Sequence, residues 1–140
     1  MRQRKPRDRA RTGVVTVEFA AVAPVLFLLV LGTIETGRAL MASHSLEEAS
    51  RSGCRIAILK GATTQEIEND VRRILAPVGI SAYSVQVQPA GYALADRWTP
   101  VTVSVSASFN DMCWLPLPRF ITGKTYTASC TQAKEFSPGS

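Results

Sequence analysis

The side chains that could support catalysis are few and widely spaced in this sequence. His44 is the single histidine, and it precedes Cys54 in a stretch with helical character. Their separation of ten helical positions covers about 15 Å, whereas a Cys/His catalytic pair needs hydrogen-bond contact between its two side chains. This spacing excludes a Cys/His enzyme if the helix is continuous.

Metal ligation finds no better support in the sequence. The spacings typical of metal sites, C-x-x-C and H-x-x-H, do not occur. Glu66, Glu68 and Asp70 follow a predicted helix start, where carboxylates complement the helix dipole. A solvated helix face is the better reading of these acids than a calcium site. We predict that the protein is not an enzyme and uses no metal or cofactor.

The net charge of +5 resides in the first thirteen residues, against which Asp8 is the single acid. The basic residues are Arg2, Arg4, Lys5, Arg7, Arg9 and Arg11. Such an arm could bind nucleic acid, but the apolar stretch that follows it indicates a membrane instead. We predict no nucleic-acid partner.

The stretch from Gly13 to Ile34 is apolar except for Glu18. A helix of this length spans the roughly 30 Å hydrocarbon core of a bilayer. The basic residues before it orient the N-terminus towards the cytoplasm by the positive-inside rule. We predict a leader over residues 1–13, a transmembrane helix over 14–35, an external domain over 36–136 and a loose tail over 137–140.

A buried core helix and a secretory signal peptide are two other interpretations of the apolar stretch. A buried core helix would require a larger domain to cover it on all sides. A secretory signal peptide would need a small-x-small cleavage site after the apolar run, and the best candidate, Ala21–Val22–Ala23, lies in mid-run before Pro24.

Glu18 is the unusual residue of the span, because a carboxylate inside a bilayer is costly and commonly marks a function or a partner. It follows Gly13 by five positions and precedes Phe19, and a short basic leader stands ahead of them. This pattern resembles the processing site of type IV pilin-like proteins. The resemblance implies that a prepilin peptidase cuts between Gly13 and Val14. The freed amine of Val14 would then pair with Glu18 of a neighbouring subunit.

Residues 9–60 resemble one group of pilin-like proteins more specifically. In this segment E-F-A-x-V-A-P-V-L is followed by G-x-I-E-x-G-R and E-A-S-R-S-G-C-R. This run is similar to the TadE-like pseudopilins of the Flp-type tight-adherence pilus, which often have Gly-Ala-Arg where this chain has Gly53–Cys54–Arg55. It implies three kinds of partner besides membrane lipid: the prepilin peptidase, other pilin-like subunits and an inner-membrane assembly platform. The implied location is the inner membrane, with possible incorporation in a pilus.

The external part predicts a small α+β domain. Helical character continues from Arg38 to Ser52, so the membrane helix is expected to extend outward as a stalk. Thr63 and Glu66 form a capping box for a second, amphipathic helix. Beyond Ile80 apolar residues recur at every second position, as in a β-strand with one buried face. Antiparallel strands are predicted at 83–87, 101–109 and 125–132, giving a three-stranded sheet with the second helix packed on it.

Three cysteines in an external domain permit one disulfide. Cys130 has the inward parity of its strand and Cys54 lies one turn before Ile58, so we predict a Cys54–Cys130 bridge. Cys113 is the rival partner, and three buried thiols are the further alternative.

Two functional classes remain open. The first is a processed assembly component of the pilin type, and the second is an unprocessed, membrane-anchored binding module of the cell envelope. Trp98 and Trp114, near strand ends, could provide a sugar or partner surface, although core packing is more usual for such aromatics.

Overall fold

The computed structural model describes residues 8–112 and 123–135. Its elements, in chain order, are α1 (Asp8–Ala57), α2 (Thr64–Leu75), a 3-10 turn (Ala76–Val78), β1 (Tyr83–Gln88), a second 3-10 turn (Tyr92–Leu94), β2 (Pro100–Ser108), α3 (Phe109–Met112) and β3 (Thr125–Ala133). The predicted α+β class, with a long apolar helix, a second helix and a three-stranded antiparallel sheet, is confirmed. Contacts divide the chain into one unit that ends at Thr36 and a second that begins at Gly37.

The first unit is the apolar part of α1. Large apolar side chains stand exposed along its length, and in the most apolar window 6% of the residues are buried. The segment is therefore not a core helix. Its threonine hydroxyls donate to backbone carbonyls of the same helix, from Thr33 Oγ1 to Val30 O at 2.7 Å and from Thr36 Oγ1 to Gly32 O at 2.8 Å. Such bonds satisfy polar groups without water.

In the second unit, the remainder of α1 buries one face against α2 and the sheet. The buried positions include Ala42, Leu46, Ala49 and Gly53, which recur at helical spacing. Gly53 lies at the closest approach: a Cβ there would come within 3.1 Å of Val103 Cγ1 and 3.2 Å of Ile67 Cγ2. The absence of a side chain thus lets α1 pack tightly on both neighbours.

The start of α2 is fixed by the predicted capping box, which is confirmed. Glu66 N donates to Thr63 Oγ1 at 3.3 Å, and Thr63 N donates to Glu66 Oε2 at 3.0 Å. Ile67, Val71 and Leu75 then recur every four residues and are fully buried. This face carries α2 onto the core.

The sheet has the strand order β1-β2-β3 and is antiparallel throughout. Along β2 the side chains of Val101, Val103, Val105 and Ala107 are buried, and the alternate serines and threonine face outward. The predicted strand 101–109 was one residue too long, because Phe109 begins α3. Phe109 instead packs edge-on against Tyr126, with ring centroids 6.5 Å apart.

Candidate functional site

The residues of the predicted processing site lie together in the first unit. Gly13, Val14, Glu18 and Phe19 all belong to α1, and all four are exposed. A Cβ built on Gly13 meets no atom within 4 Å. Opening the helix at Gly13 therefore sacrifices no side-chain packing, and glycine lowers the local helix propensity by about 1 kcal/mol relative to alanine.

Val14 and Glu18 are four residues apart in α1, which places them one turn apart on the same helix face. The exposed valines, leucines and phenylalanines around them can rest against lipid or against another apolar helix. The residues three and four positions from Glu18 along α1 are uncharged, namely Val14, Val15, Ala21 and Val22. The geometry thus presents a carboxylate together with an apolar helix face.

The part of α1 from Gly13 to Ala57 contains a stretch long and apolar enough to cross a membrane by length and composition. Pro24 lies inside this helix without ending it. Proline is tolerated in membrane helices more readily than in soluble ones.

Of the three candidate disulfide cysteines, Cys54 and Cys130 are described and both are free thiols, while Cys113 lies outside the described residues. The Cys54 thiol donates to the carbonyl oxygen of Cys130 at 2.7 Å, so the structure does bring the predicted pair together across α1 and β3. The bridge itself is not confirmed and stays a prediction.

Burial, together with the neighbouring Cys130 side chain, raises the pKa of the Cys54 thiol to about 12. The thiolate is the reactive form of cysteine. Cys54 is thereby kept protonated and slow to react at neutral pH.

Two more contacts fasten α1 to the rest of the second unit. Tyr126 Oη of β3 donates to Glu47 Oε1 at 3.2 Å, and Glu47 also pairs with Arg51 at 3.0 Å. Desolvation, together with this carboxylate, raises the pKa of Tyr126. Ser52 Oγ donates to Asp70 of α2. These bonds tie α1 to both β3 and α2.

One buried lysine was not predicted from the sequence. Lys134, which directly follows β3, is 2% exposed, and its Nζ donates to Tyr92 O at 2.6 Å and to Ala93 O at 2.9 Å. The Lys134 backbone bonds to the same loop: Lys134 N donates to Thr99 O and Trp98 N donates to Lys134 O, both at 2.9 Å. We call these side-chain and backbone bonds of Lys134 to residues 92–99 the Lys134 clamp. The one indication in the sequence was strand alternation, which places Lys134 on the same face of the sheet as Ala128 and Cys130.

The loop held by Lys134 presents apolar side chains to solvent. Leu94 and Trp98 are 78% and 70% exposed. The expectation that Trp98 packs in the core was wrong; Trp114 lies outside the described residues. Trp98 has a φ of 72°, a region that residues with side chains rarely adopt, and the Arg97 guanidinium lies 5.0 Å from its ring centroid.

No group of three or more histidine, cysteine or acidic side chains that could hold a metal ion occurs within residues 8–112 and 123–135. His44 is exposed on α1, whereas Cys54 is buried. The structure does not bring this pair together.

Comparison with known proteins gives one match. The model of the TadE-like protein family matches residues 13–55, which confirms the resemblance seen in the sequence. The matched segment begins at Gly13 and contains Glu18, Phe19 and Cys54, and it stops before α2 and the sheet. No curated protein and no solved structure matches the chain.

Proposed function

We propose that this chain is a non-enzymatic pseudopilin, a membrane-anchored component of a Flp/Tad-type pilus that a prepilin peptidase processes at Gly13–Val14. The family match and the apolar helix support a membrane-anchored Tad-type component. The observation that carries the finer proposal is the constellation of Gly13, Val14 and Glu18 at the start of one exposed apolar helix face.

The proposed topology follows from the charge distribution. The basic leader stays in the cytoplasm, where the peptidase acts, and the domain beyond residue 36 lies on the other side of the inner membrane. Processing at Gly13–Val14 removes this leader and leaves an ammonium group at Val14. In the assembled state that ammonium pairs with Glu18 of a neighbouring pilin-like subunit, because an ion pair lowers the cost of both charges in a low dielectric.

Mass spectrometry of the N-terminus, on protein from native membranes, tests the processing step. The expected mature N-terminus is Val14. Gly13→Leu should block cleavage, while Gly32→Leu, at a second unpacked glycine of the same helix, should leave it intact. An intact Met1 or Arg2 terminus in cells with an active peptidase contradicts the proposal, and a terminus near Ala23 would identify a signal peptide instead.

Glu18→Gln tests the assembly role. Insertion and processing should continue, because removing a charge from the span does not oppose insertion. Co-purification with other pilin-like subunits should fall, whereas Glu35→Gln, the next carboxylate along the helix, serves as the matched control. Wild-type co-purification and unchanged surface pili for Glu18→Gln would remove the assembly role.

The second candidate is an unprocessed anchored binding module, and the loop around Trp98 favours it. Trp98 is exposed on this loop beside Leu94 and Arg97, and tryptophan and arginine are enriched at interaction hot spots. An uncleaved N-terminus combined with lost ligand capture in Trp98→Ala would select this function over the first.

A further inference from the structure

Within residues 8–112 and 123–135, no further strand pairs with the outer side of β1 or β3, and the hydrogen-bonding groups at these two edges can be assigned. Phe109 N donates to Lys124 O and Lys134 N donates to Thr99 O, on either side of β3. Alternate residues of an antiparallel strand direct their backbone groups to opposite sides. The odd-numbered residues 125–133 of β3 therefore turn their N–H and C=O groups to the free edge. By the same alternation, the odd-numbered residues 83–87 of β1 do so at the opposite edge.

Neither edge strand carries the features that normally protect an edge. Natural edges are shielded by lysine, proline, bulges or inward-pointing charges. β3 pairs with β2 through nine consecutive residues without a bulge, and neither β3 nor β1 contains a charged residue or a proline. Each strand is therefore a template for one further strand.

Complementary charges flank the two edges. An open groove of about 520 Å³ runs along residues 126–131 of β3 and is lined by Glu47 and Arg51 of α1. A groove of about 710 Å³ at the start of β1 is lined by Glu68 and Arg72 of α2. In both helices the arginine follows the glutamate by four residues, or about 6 Å.

The two helices run in opposite directions. The short connection from Ala57 to Thr64 turns the chain back, and Ser52 contacts Asp70 across the helix pair. When α1 of one copy lies beside α2 of an equally oriented second copy, each glutamate therefore faces an arginine.

Equally oriented copies also bring matching strands together. β1 and β3 both run antiparallel to β2, so they are parallel to each other. Ser129 and Gln86 both pair with Ser104, which places them at the same level of the sheet. A lateral displacement therefore sets β3 of one copy beside β1 of the next and continues the uncharged outer face.

We propose that this chain assembles with further copies of itself by parallel pairing of β3 with β1 of the next copy, extending the sheet from subunit to subunit. The equal orientation of the copies rests on the proposed membrane anchorage. An antiparallel β3–β3 pair would instead reverse the sheet of one copy relative to that of the other. Because the two contacting edges differ, the arrangement is heterologous and continues beyond a dimer.

Photocrosslinking of the full chain in membranes tests this pairing. A benzophenone amino acid in place of Ser129 should give a ladder of cross-linked copies, with the cross-link mapped by mass spectrometry to residues 83–88 of a second copy. The matched control position is Ser104, which has the same face and level but lies in the central strand. It should give no ladder.

Two sets of variants separate the backbone contribution from the charges. With the crosslinker moved to Thr131, Ser129→Pro removes an edge donor and should abolish the ladder, while Ser129→Ala keeps the donor and should retain it. Exchanging the α2 charges by Glu68→Arg with Arg72→Glu should abolish the ladder. Adding Glu47→Arg with Arg51→Glu should restore it.

Three outcomes would overturn the proposal: monomer alone, cross-links to a different protein, or cross-links to residues 113–122 or 136–140 of the same chain. Failure here is distinguishable from failure of the proposed function. A mature Val14 terminus with monomer alone at Ser129 removes the edge pairing and keeps the pseudopilin. An uncleaved terminus with the expected ladder does the reverse.

Discussion

Leu28 and Leu46 lie on the same helix and have opposite surroundings. Leu28, in the unit that ends at Thr36, is 70% exposed, whereas Leu46, in the unit that begins at Gly37, is fully buried. The same residue type therefore has two different environments along one helix. Before Thr36 the apolar side chains are not covered by any part of the chain that the structure describes, whereas after Gly37 those on one face of the helix are buried in the protein's own core.

The largest expected effect contrasts these two leucines directly. Leu46→Ala removes a buried side chain and should lower the free energy of unfolding by about 2–5 kcal/mol. Leu28→Ala should leave it unchanged, because Leu28 contributes nothing to the core. Urea unfolding of the full-length protein in detergent micelles, followed by near-ultraviolet circular dichroism, measures both. Equal losses would show that the distinction between the two units is false.

A second contrast concerns lysines of the second unit. Lys134→Met removes both hydrogen bonds that Nζ donates to the carbonyl oxygens of Tyr92 and Ala93, so the free energy of unfolding should fall by about 3 kcal/mol. Lys124→Met, at an exposed side chain, is the matched control. An unfolding midpoint for Lys134→Met that equals that of the control would mean that the clamp adds no stability.

Glycines sharpen the comparison further. Gly53→Ala places a methyl group against Val103 and Ile67 and should lower the free energy of unfolding by about 1–2 kcal/mol. Gly37→Ala, where a Cβ meets nothing within 4 Å, should be neutral or slightly stabilising because alanine favours the helix. If thermal unfolding ranks the two variants in the reverse order, α1 packs less closely than described.

The smallest effect is a pH dependence at Asp70. Desolvation raises its pKa, but hydrogen bonds from Ser52 and Arg73 outweigh it and hold the pKa below the ordinary 3.8. The folded state therefore gains stability above the unfolded pKa of about 4, and the gain is lost as pH falls through the lower folded value. Between pH 5 and pH 2, the unfolding midpoint of Asp70→Asn should change less steeply with pH than that of wild type. An unchanged slope would exclude Asp70 as a contributor.

Local patterns allowed much of the fold to be predicted. The α2 capping box needs two residues three apart, and both strand periodicity and the apolar run are legible within short windows. The α+β class and the family resemblance followed from such windows and are confirmed.

Residues whose partners are distant in the chain escaped prediction. Lys134 is buried because it reaches backbone carbonyls some forty residues earlier, and carbonyls carry no signature in the sequence. Gly53 is needed because of Val103 and Ile67, which only the folded core brings near. Trp98 was expected inside because aromatics usually are, and the loop conformation that turns it outward depends on the same distant lysine.

The buried ammonium of Lys134 has a consequence for chemical labelling. An acylating reagent requires an amine that solvent can reach, and Lys134 Nζ is enclosed while the Lys124 side chain is exposed. Lys134 is therefore acylated only in molecules whose loop has momentarily detached. The ratio of the Lys134 labelling rate to the Lys124 labelling rate therefore measures the fraction of molecules in which this loop is open. The two lysines together report local opening of the second unit.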